Sequence, residues 1–405
     1  MRNVEFSARE RSAMLPWASA PVPMPPSPML AAPSGSGAIL RTRDCIRGML
    51  MGVAIGDALG NTSENMSPVL RRETYGAMYG DARGDIRDYL PNPREGMQAL
   101  GLPGDDSQLT FWTLESLLRR GQLDPAAVAD AFTRRDRIYG IGATITAFLL
   151  SYRLDKTDWF EAGRPSAGNG ALMRISPVLL PHLRAPTGAL WRDVVAATIL
   201  THRDEAAVAA SVGFVGLLIE CLSWSAGNWE QDDGLPGGST CPEAKTEGST
   251  IAAPPPRWWP ETFLRYARAV ETDAAYDSLV PHDPFRGSLC DRVEQTVLPA
   301  IDAAMSVIEV VDRWRSGAYL IETIPCVLHI LAMHSGDPEE AIVRAVNDTW
   351  DNDTIASVVG AAVGALHGEE ALPVRWREGL LGRTREIDDG HVQGLIERAV
   401  GAFAS

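Results

Sequence analysis

From about residue 41 onward, apolar residues return every three or four positions, and strict alternation is scarce. Ile46, Met49, Leu50 and Val53 form one such series. Leu109, Trp112, Leu117 and Leu118 form a second, and Val208, Val212, Val215, Ile219 and Leu222 a third. A period near 3.6 is that of a buried or amphipathic helix, whereas a half-buried strand needs a period of 2. No βαβ alternation and no repeat of fixed period accompanies it. The chain therefore reads as all-α, a compact multi-helix single domain over 41–405. Its 405 residues, 45% of them apolar, can bury a sizeable core, which excludes wholesale disorder.

Two segments depart from this pattern. Residues 1–40 form a Pro-rich N-terminal arm, in which Pro16, Pro21, Pro23, Pro25, Pro26, Pro28 and Pro33 oppose regular helix or central strand. The arm is expected to be disordered alone. Ordering on a partner is the alternative, because Met14, Leu15, Trp17, Met24, Met29 and Leu30 are apolar for a solvated tail. Near 225–260 the chain turns rich in Gly, Pro, Ser and Thr and reads as a surface insertion, tacked to the body by Trp258 and Trp259. The longest apolar stretch, Ala206–Leu222, contains Ser211, Gly213, Gly216 and Glu220, and reads as a buried helix, with no membrane span.

A net charge of −15 argues against general nucleic-acid binding and against anionic membranes. Cys45, Cys221, Cys241, Cys290 and Cys326 lie far apart with no C-x-x-C, so reduced, buried thiols in a cytoplasmic protein are expected. The first residues show no apolar run of the kind a secretory signal carries.

The chemistry concentrates in short polar clusters at helix beginnings. Asp105-Asp106-Ser107 precede the apolar period that starts at Leu109 and ends at Gly121, so both acids stand at a helix N-terminus. Such acids also cap helices and complement the helix dipole, so a purely structural role is equally consistent. Asp351-Asn352-Asp353-Thr354 likewise precede a helix over 354–367, whose Ala356, Gly360 and Gly364 form a small-residue stripe suited to close packing. D-x-D-T is an oxygen-rich set of the kind hard divalent cations bind. It is not a calcium loop, lacking Gly at the sixth position and Glu at the twelfth. In RGMLMGVAIGDALGNTSE, Gly52, Ala54, Gly56, Ala58 and Gly60 make a tightly packable helix that Asp57 interrupts and Glu64 follows. A buried Asp needs a partner, either a polar cavity or a neighbouring helix to cap. Gly168-Asn169-Gly170 suits a tight loop with backbone N–H groups turned toward an anion. His202, before the 206–222 helix, is either a ligand contact or a satisfied boundary histidine.

Taken in order, G-D-A-L-G-x-x-x-E, D-D-S, G-N-G-x-x-M-R, T-H and D-x-D-T-x-A-x-x-x-G-A-x-x-G-A resemble the ADP-ribosylglycohydrolase family over about 41–385, apart from 225–290. The resemblance implies an all-α orthogonal bundle with two divalent cations, Mg²⁺ or Mn²⁺, in a cleft. Asp105, Asp106, Asp351, Asp353 and Thr354 would be metal ligands, with Glu64 beside them. Gly168, Asn169, Gly170 and His202 would bind the ADP-ribose, and Asp106 and Glu64 are the candidates for proton acceptance. The implied activity is hydrolysis of the bond between ADP-ribose and a modified protein side chain, most simply arginine. Three positions depart from the family pattern. Gly104 stands where a Thr usually precedes the Asp pair, Ser107 replaces a second Thr, and Trp350 replaces a small residue. A different class of function is an immunity protein whose N-terminal arm neutralises an ADP-ribosylating toxin. A third is a metal-dependent hydrolase of another glycosidic or phosphate bond.

Overall fold

The computed structural model describes residues 5–29, 36–91, 100–133, 137–227, 251–384 and 390–404. In chain order, α1 (Ala8–Met14) lies in the arm, and α2 (Ser36–Gly60), α3 (Asp105–Arg120), α4 (Glu205–Ser225), α5 (Pro338–Asp348) and α6 (Asn352–His367) lie around the site. Among the described residues the strand content is one antiparallel pair of two-residue strands, Tyr276–Asp277 with Arg286–Gly287. The fold is all-α, as the apolar period requires.

The centre of the molecule is the antiparallel pair α2 and α6, which touch backbone to backbone. A Cβ added to Gly52 would lie 2.1 Å from the Gly360 carbonyl oxygen, and one added to Gly60 would lie 2.4 Å from Cα of Asp353. Gly48 meets Gly364 and Gly56 meets Ala356 in the same register. The two stripes of small residues are thus each other's partners. The contact fixes where Asp57, near the end of α2, stands relative to Asp353, at the start of α6. All of α6 is buried, as is all of α4, whose first turn is capped by Asp204 accepting from the Ala206 amide. α4 is the helix among the described residues long and apolar enough to cross a membrane, and it lies wholly inside the fold. A hydrophobic helix with no polar face is what a central position demands.

α3 ends at Gly121, whose φ of 74° is the left-handed cap expected there. The four cysteines among the described residues are buried thiols. Most of the insertion near 225–260 lies outside the described residues. At its far end Trp258 and Trp259 are buried, with Trp258 edge-on to Trp224 at 5.6 Å.

The N-terminal arm, expected as a disordered tail, is packed on the body over residues 5–29. α1 forms just ahead of Pro16, opened by a capping box between Ser7 and Glu10. Phe6, Met14 and Val22 are buried. Glu10 accepts from the Trp159 indole (2.9 Å), Arg203 donates to the Ala13 carbonyl (3.2 Å), and the Trp191 indole donates to that of Pro23 (3.1 Å). The prolines removed helix only where they stand, and Phe6, Met14 and Val22 found their cover on this chain, while Leu15 and Met24 remain exposed.

Candidate metal centre and substrate cleft

α3 begins at a glycine with no side chain to cap it. The cap comes from across the helix interface. The Gly104 amide donates to Asp57 Oδ1 (2.7 Å) and the Ser107 amide to Asp57 Oδ2 (2.8 Å), which satisfies two of the orphan donors of the first turn. Asp57 is fully buried, so the capping alternative for this residue is realised. The same geometry accounts for Gly104: a Cβ there would sit 3.0 Å from Asp57 Oδ1, in space that the carboxylate uses. Asp105 and Asp106 follow in the first turn, where the helix dipole favours negative charge.

At the other end of the sequence, the Asp351 amide donates to the Ser316 carbonyl (2.9 Å) and the Trp350 amide to the Ser316 hydroxyl (2.9 Å). These bonds set Asp351 at the mouth of α6, with Asp353 in its first turn. The two distant acidic motifs meet. Thr354 Oγ1 donates to Asp106 Oδ1 (3.2 Å) and Ser357 Oγ to Asp106 Oδ2 (3.3 Å). Carboxylate oxygens of Asp57, Asp106 and Asp353 lie within 4.8 Å of one another, and so do those of Glu64, Asp351 and Asp353. Asp353 belongs to both groups.

The electrostatics follow from this crowding. Burial raises the carboxyl of Asp106 well above the usual range, and the charges of Asp57, Asp105 and Asp351 push it further. Asp353 is raised in the same way by burial and then by Glu64, Asp351 and Asp106. Asp105, half-buried on the cleft wall, is raised by burial, Asp57 and Glu64. Asp351 is pushed up by burial to about 6, held back by the Asn169 amide, which donates to its Oδ2 at 2.5 Å. Like charges this close cannot all ionise unaided. Divalent cations would neutralise them, and an all-oxygen donor set suits hard ions such as Mg²⁺ or Mn²⁺. The residues present fit that group.

One wall of the adjoining cleft is Glu64, Asp105, Asp351, Asp353 and Thr354. The rest of its lining is Gly140, Gly142–Ile145, Gly168–Gly170, Met173, His202 and Ala318. Gly140 has φ 88°, and a Cβ there would come 2.8 Å from Asp105 Oδ1, so glycine is required on both counts. The Asn169 amide N–H is tied to the Ala318 carbonyl (2.9 Å), and its side chain to Asp351 and Thr323 (3.2 Å). Asn169 thus orients a carboxylate as well as lining the cleft.

His202 is buried, and burial together with the nearby Arg174 lowers its pKa to about 3, so the ring is neutral. Arg174 donates to Thr201 Oγ1 (2.7 Å) and to the Ala197 carbonyl (2.9 Å), and Thr201 Oγ1 is 2.9 Å from His202 Nδ1. An arginine can only donate, so it occupies a lone pair of the Thr201 hydroxyl. With the hydroxyl hydrogen assigned to Nδ1, the ring proton stands on Nε2. Nε2 lies beside the glycine loop: a Cβ on Gly170 would be 3.2 Å from it, one on Gly168 3.4 Å.

All ten residues singled out in the sequence gather here: Glu64, Asp105, Asp106, Gly168, Asn169, Gly170, His202, Asp351, Asp353 and Thr354. Asp106 sits behind the wall, reached through Thr354. Sequence reasoning left Asp57 and Gly140 outside the site. Asp57 had a signal: one acid in a helix whose neighbours Gly56 and Gly60 are a packing stripe.

Comparison with known proteins agrees with this geometry. The sequence profile of the ADP-ribosylglycohydrolase family matches residues 39–404. YegU of Escherichia coli K12 is 27% identical over 337 residues, covering 73% of this chain and 88% of that relative. The ADP-ribosylarginine hydrolase Tri1 of Pseudomonas putida GB-1 is 24% identical, covering 75% of this chain and 71% of the relative. Bovine ADP-ribosylhydrolase ARH3 is 24% identical, covering 72% and 79%. A solved structure titled ADP-ribosylglycohydrolase-related protein complex superposes with a TM-score of 0.56 at 22% identity. It covers 90% of this chain and 98% of that one, and speaks for the fold. With the family match running through nearly the whole body and its acidic motifs meeting in one cleft, this chain belongs to the ADP-ribosylglycohydrolase family of hydrolases.

Proposed function

We propose that this chain is a metal-dependent hydrolase that removes ADP-ribose from modified protein side chains, with arginine as the modified residue. The observation that carries the reading is the pair of carboxylate groups sharing Asp353, opening onto a cleft faced by Gly168–Gly170 and His202. Asp105, Asp106, Asp351, Asp353 and Thr354 would hold two divalent cations, with Asp57 and Glu64 adjoining. When bound, the ions supply positive charge that offsets the carboxylates and grips ribose hydroxyls.

The chain's own residues do the rest. The Gly170 amide and the Nε2–H of His202 offer donors to the pyrophosphate without adding a charged side chain, while the Gly168 and Asn169 amides donate to Ser166 Oγ (3.2 Å) and the Ala318 carbonyl (2.9 Å). Asp106 accepts from two hydroxyls at the buried base and acts as an anchor. Glu64 is half-buried at the cleft edge and is placed to hold a water and accept its proton as the glycosidic bond opens. An acidic mouth also suits a guanidinium leaving group. The name of the Pseudomonas relative supports arginine over other linkages. The buried thiols fit a reducing cytoplasm.

The test is release of ADP-ribose from ADP-ribosylated arginine, serine and thymidine, each with Mn²⁺ or Mg²⁺ and with chelator. Release from arginine alone, abolished by chelator, is expected. Release from serine would replace arginine as the substrate, and release unaffected by chelator would end the metal reading. The immunity reading has no observation in its favour, since Phe6, Met14 and Val22 of the arm are buried against this chain's own body.

A further inference from the structure

The turn that carries Glu64 and the loop that delivers Asp351 and Asp353 are far apart in sequence, yet one side chain joins them. Arg71, closing the short helix Pro68–Arg71, is 0% exposed. Its Nε donates to Ser63 Oγ (2.9 Å). Nη1 donates to the carbonyls of Asn347 (3.1 Å) and Thr349 (2.8 Å). Nη2 donates to the carbonyls of Ser63 (3.2 Å) and Met66 (3.0 Å). Every guanidinium donor is used, and every acceptor is a backbone carbonyl or a hydroxyl.

A cation taken out of water and given no hydrogen-bonded carboxylate is costly, so its geometry has to repay that cost. Here it spans two segments. Ser63 and Met66 bracket Glu64, and Thr349 stands two residues before Asp351. The staple is reinforced on both sides: Asn352 Nδ2 donates to Ser63 Oγ (3.0 Å), and the Asn65 amide donates to the Trp350 carbonyl (3.1 Å).

We propose that Arg71 is a positioning residue, whose planar fork holds Glu64 in register with Asp351 and Asp353. The role is geometric. A lysine keeps the charge, but its donors radiate from one atom and cannot reach both segments. The inference rests on the reading of these carboxylates as a metal centre, and one of its two tests does not.

The experiment uses the full chain, comparing Arg71→Met, Arg71→Lys and Ser63→Ala with wild type. Mn²⁺ affinity is read by electron paramagnetic resonance, and amide hydrogen exchange is followed in chelator. Arg71→Met and Arg71→Lys are each expected to weaken Mn²⁺ binding about tenfold or more, the scale of lost outer-shell support. Exchange should quicken in 61–66 and 347–351 and nowhere else. In a Glu64→Gln background, Arg71→Met should weaken binding no further. Should Arg71→Met not accumulate as folded protein, Ser63→Ala carries the test, with a smaller loss in the same direction. Wild-type affinity and exchange in the folded variants, full rescue by lysine, or an effect undiminished in the Glu64→Gln background would overturn the proposal. A wild type that binds no Mn²⁺ would end the metal reading and leave the exchange experiment to decide the clamp.

Discussion

The two carboxylate groups share Asp353 but are held by different means. The inner one, Asp57–Asp106–Asp353, is buried where α2 and α6 touch backbone to backbone and α3 begins. Backbone amides and hydroxyls reach it, and helix packing sets its geometry. The outer one adds Glu64 and Asp351, which stand just outside helices, to the same Asp353, and Glu64 is half-buried at the cleft. Hydrogen bonds to carbonyls hold it in place. The inner group is therefore as rigid as the core, while the outer group is only as rigid as the bonds between its two segments.

The residue common to both should give the largest effect. Asp353→Asn should lower kcat/KM for ADP-ribosyl-arginine by about a thousandfold or more, on the scale of losing a principal electrostatic element. It should weaken Mn²⁺ binding at both groups. Weakening confined to one would show that Asp353 is not shared. Next comes the helix contact. Gly60→Ala drives a methyl into the backbone of Asp353 and should cost about a hundredfold in activity, as displacements near 1 Å do. It should also lower the thermal midpoint. Wild-type activity in that variant would show that the contact does not set the inner group.

What could be read in the sequence, and what could not, divides along the same line. The span of α3, its Gly121 stop and the start of α6 follow from local period and caps, which the sequence states residue by residue. That Asp105 and Asp106 meet Asp351 and Asp353 came from the ordered motifs. The pairing of the α2 and α6 stripes stayed hidden, because a small residue does not say which small residue it faces. Asp57 was therefore seen as a buried acid without a place. Arg71 was invisible for another reason: its acceptors are chiefly carbonyls, which every residue carries. The arm misled because its prolines were weighed above Phe6, Met14 and Val22, whose burial orders it.

A smaller effect follows from proton linkage. In chelator, Asp351, raised to about 6, and Asp106 and Asp353, raised further, keep protons in the folded state that the unfolded chain gives up near pH 4. The folded state binds more protons, so stability falls as pH rises through these values. The thermal midpoint in chelator should drop from pH 5 to 7.5. Added Mn²⁺ should restore more stability at pH 7.5 than at pH 5, because it replaces protons already lost. Asp106→Asn should flatten the slope more than Asp351→Asn, in keeping with the deeper inner group. The reverse order would invert the comparison.

His202 lines the same cleft and belongs to neither group, so its replacement tests substrate binding apart from ion binding. With Thr201 donating to Nδ1 its proton stands on Nε2, and a pKa lowered to about 3 keeps the ring neutral over the working range. On the proposed function, the imidazole would donate one hydrogen bond to the substrate and take no part in proton transfer. His202→Phe should raise KM about tenfold, the worth of one hydrogen bond to a charged acceptor. It should leave kcat within about twofold and Mn²⁺ affinity unchanged. Steady-state kinetics from pH 5.5 to 8 decide the matter. In wild type, KM should show no inflection near 6.5, the usual histidine value. An inflection there that vanishes in His202→Phe would mean that the ring is charged when substrate binds, and the assigned tautomer would be wrong. A weakened Mn²⁺ affinity in the same variant would show that His202 supports the ions as well as the substrate.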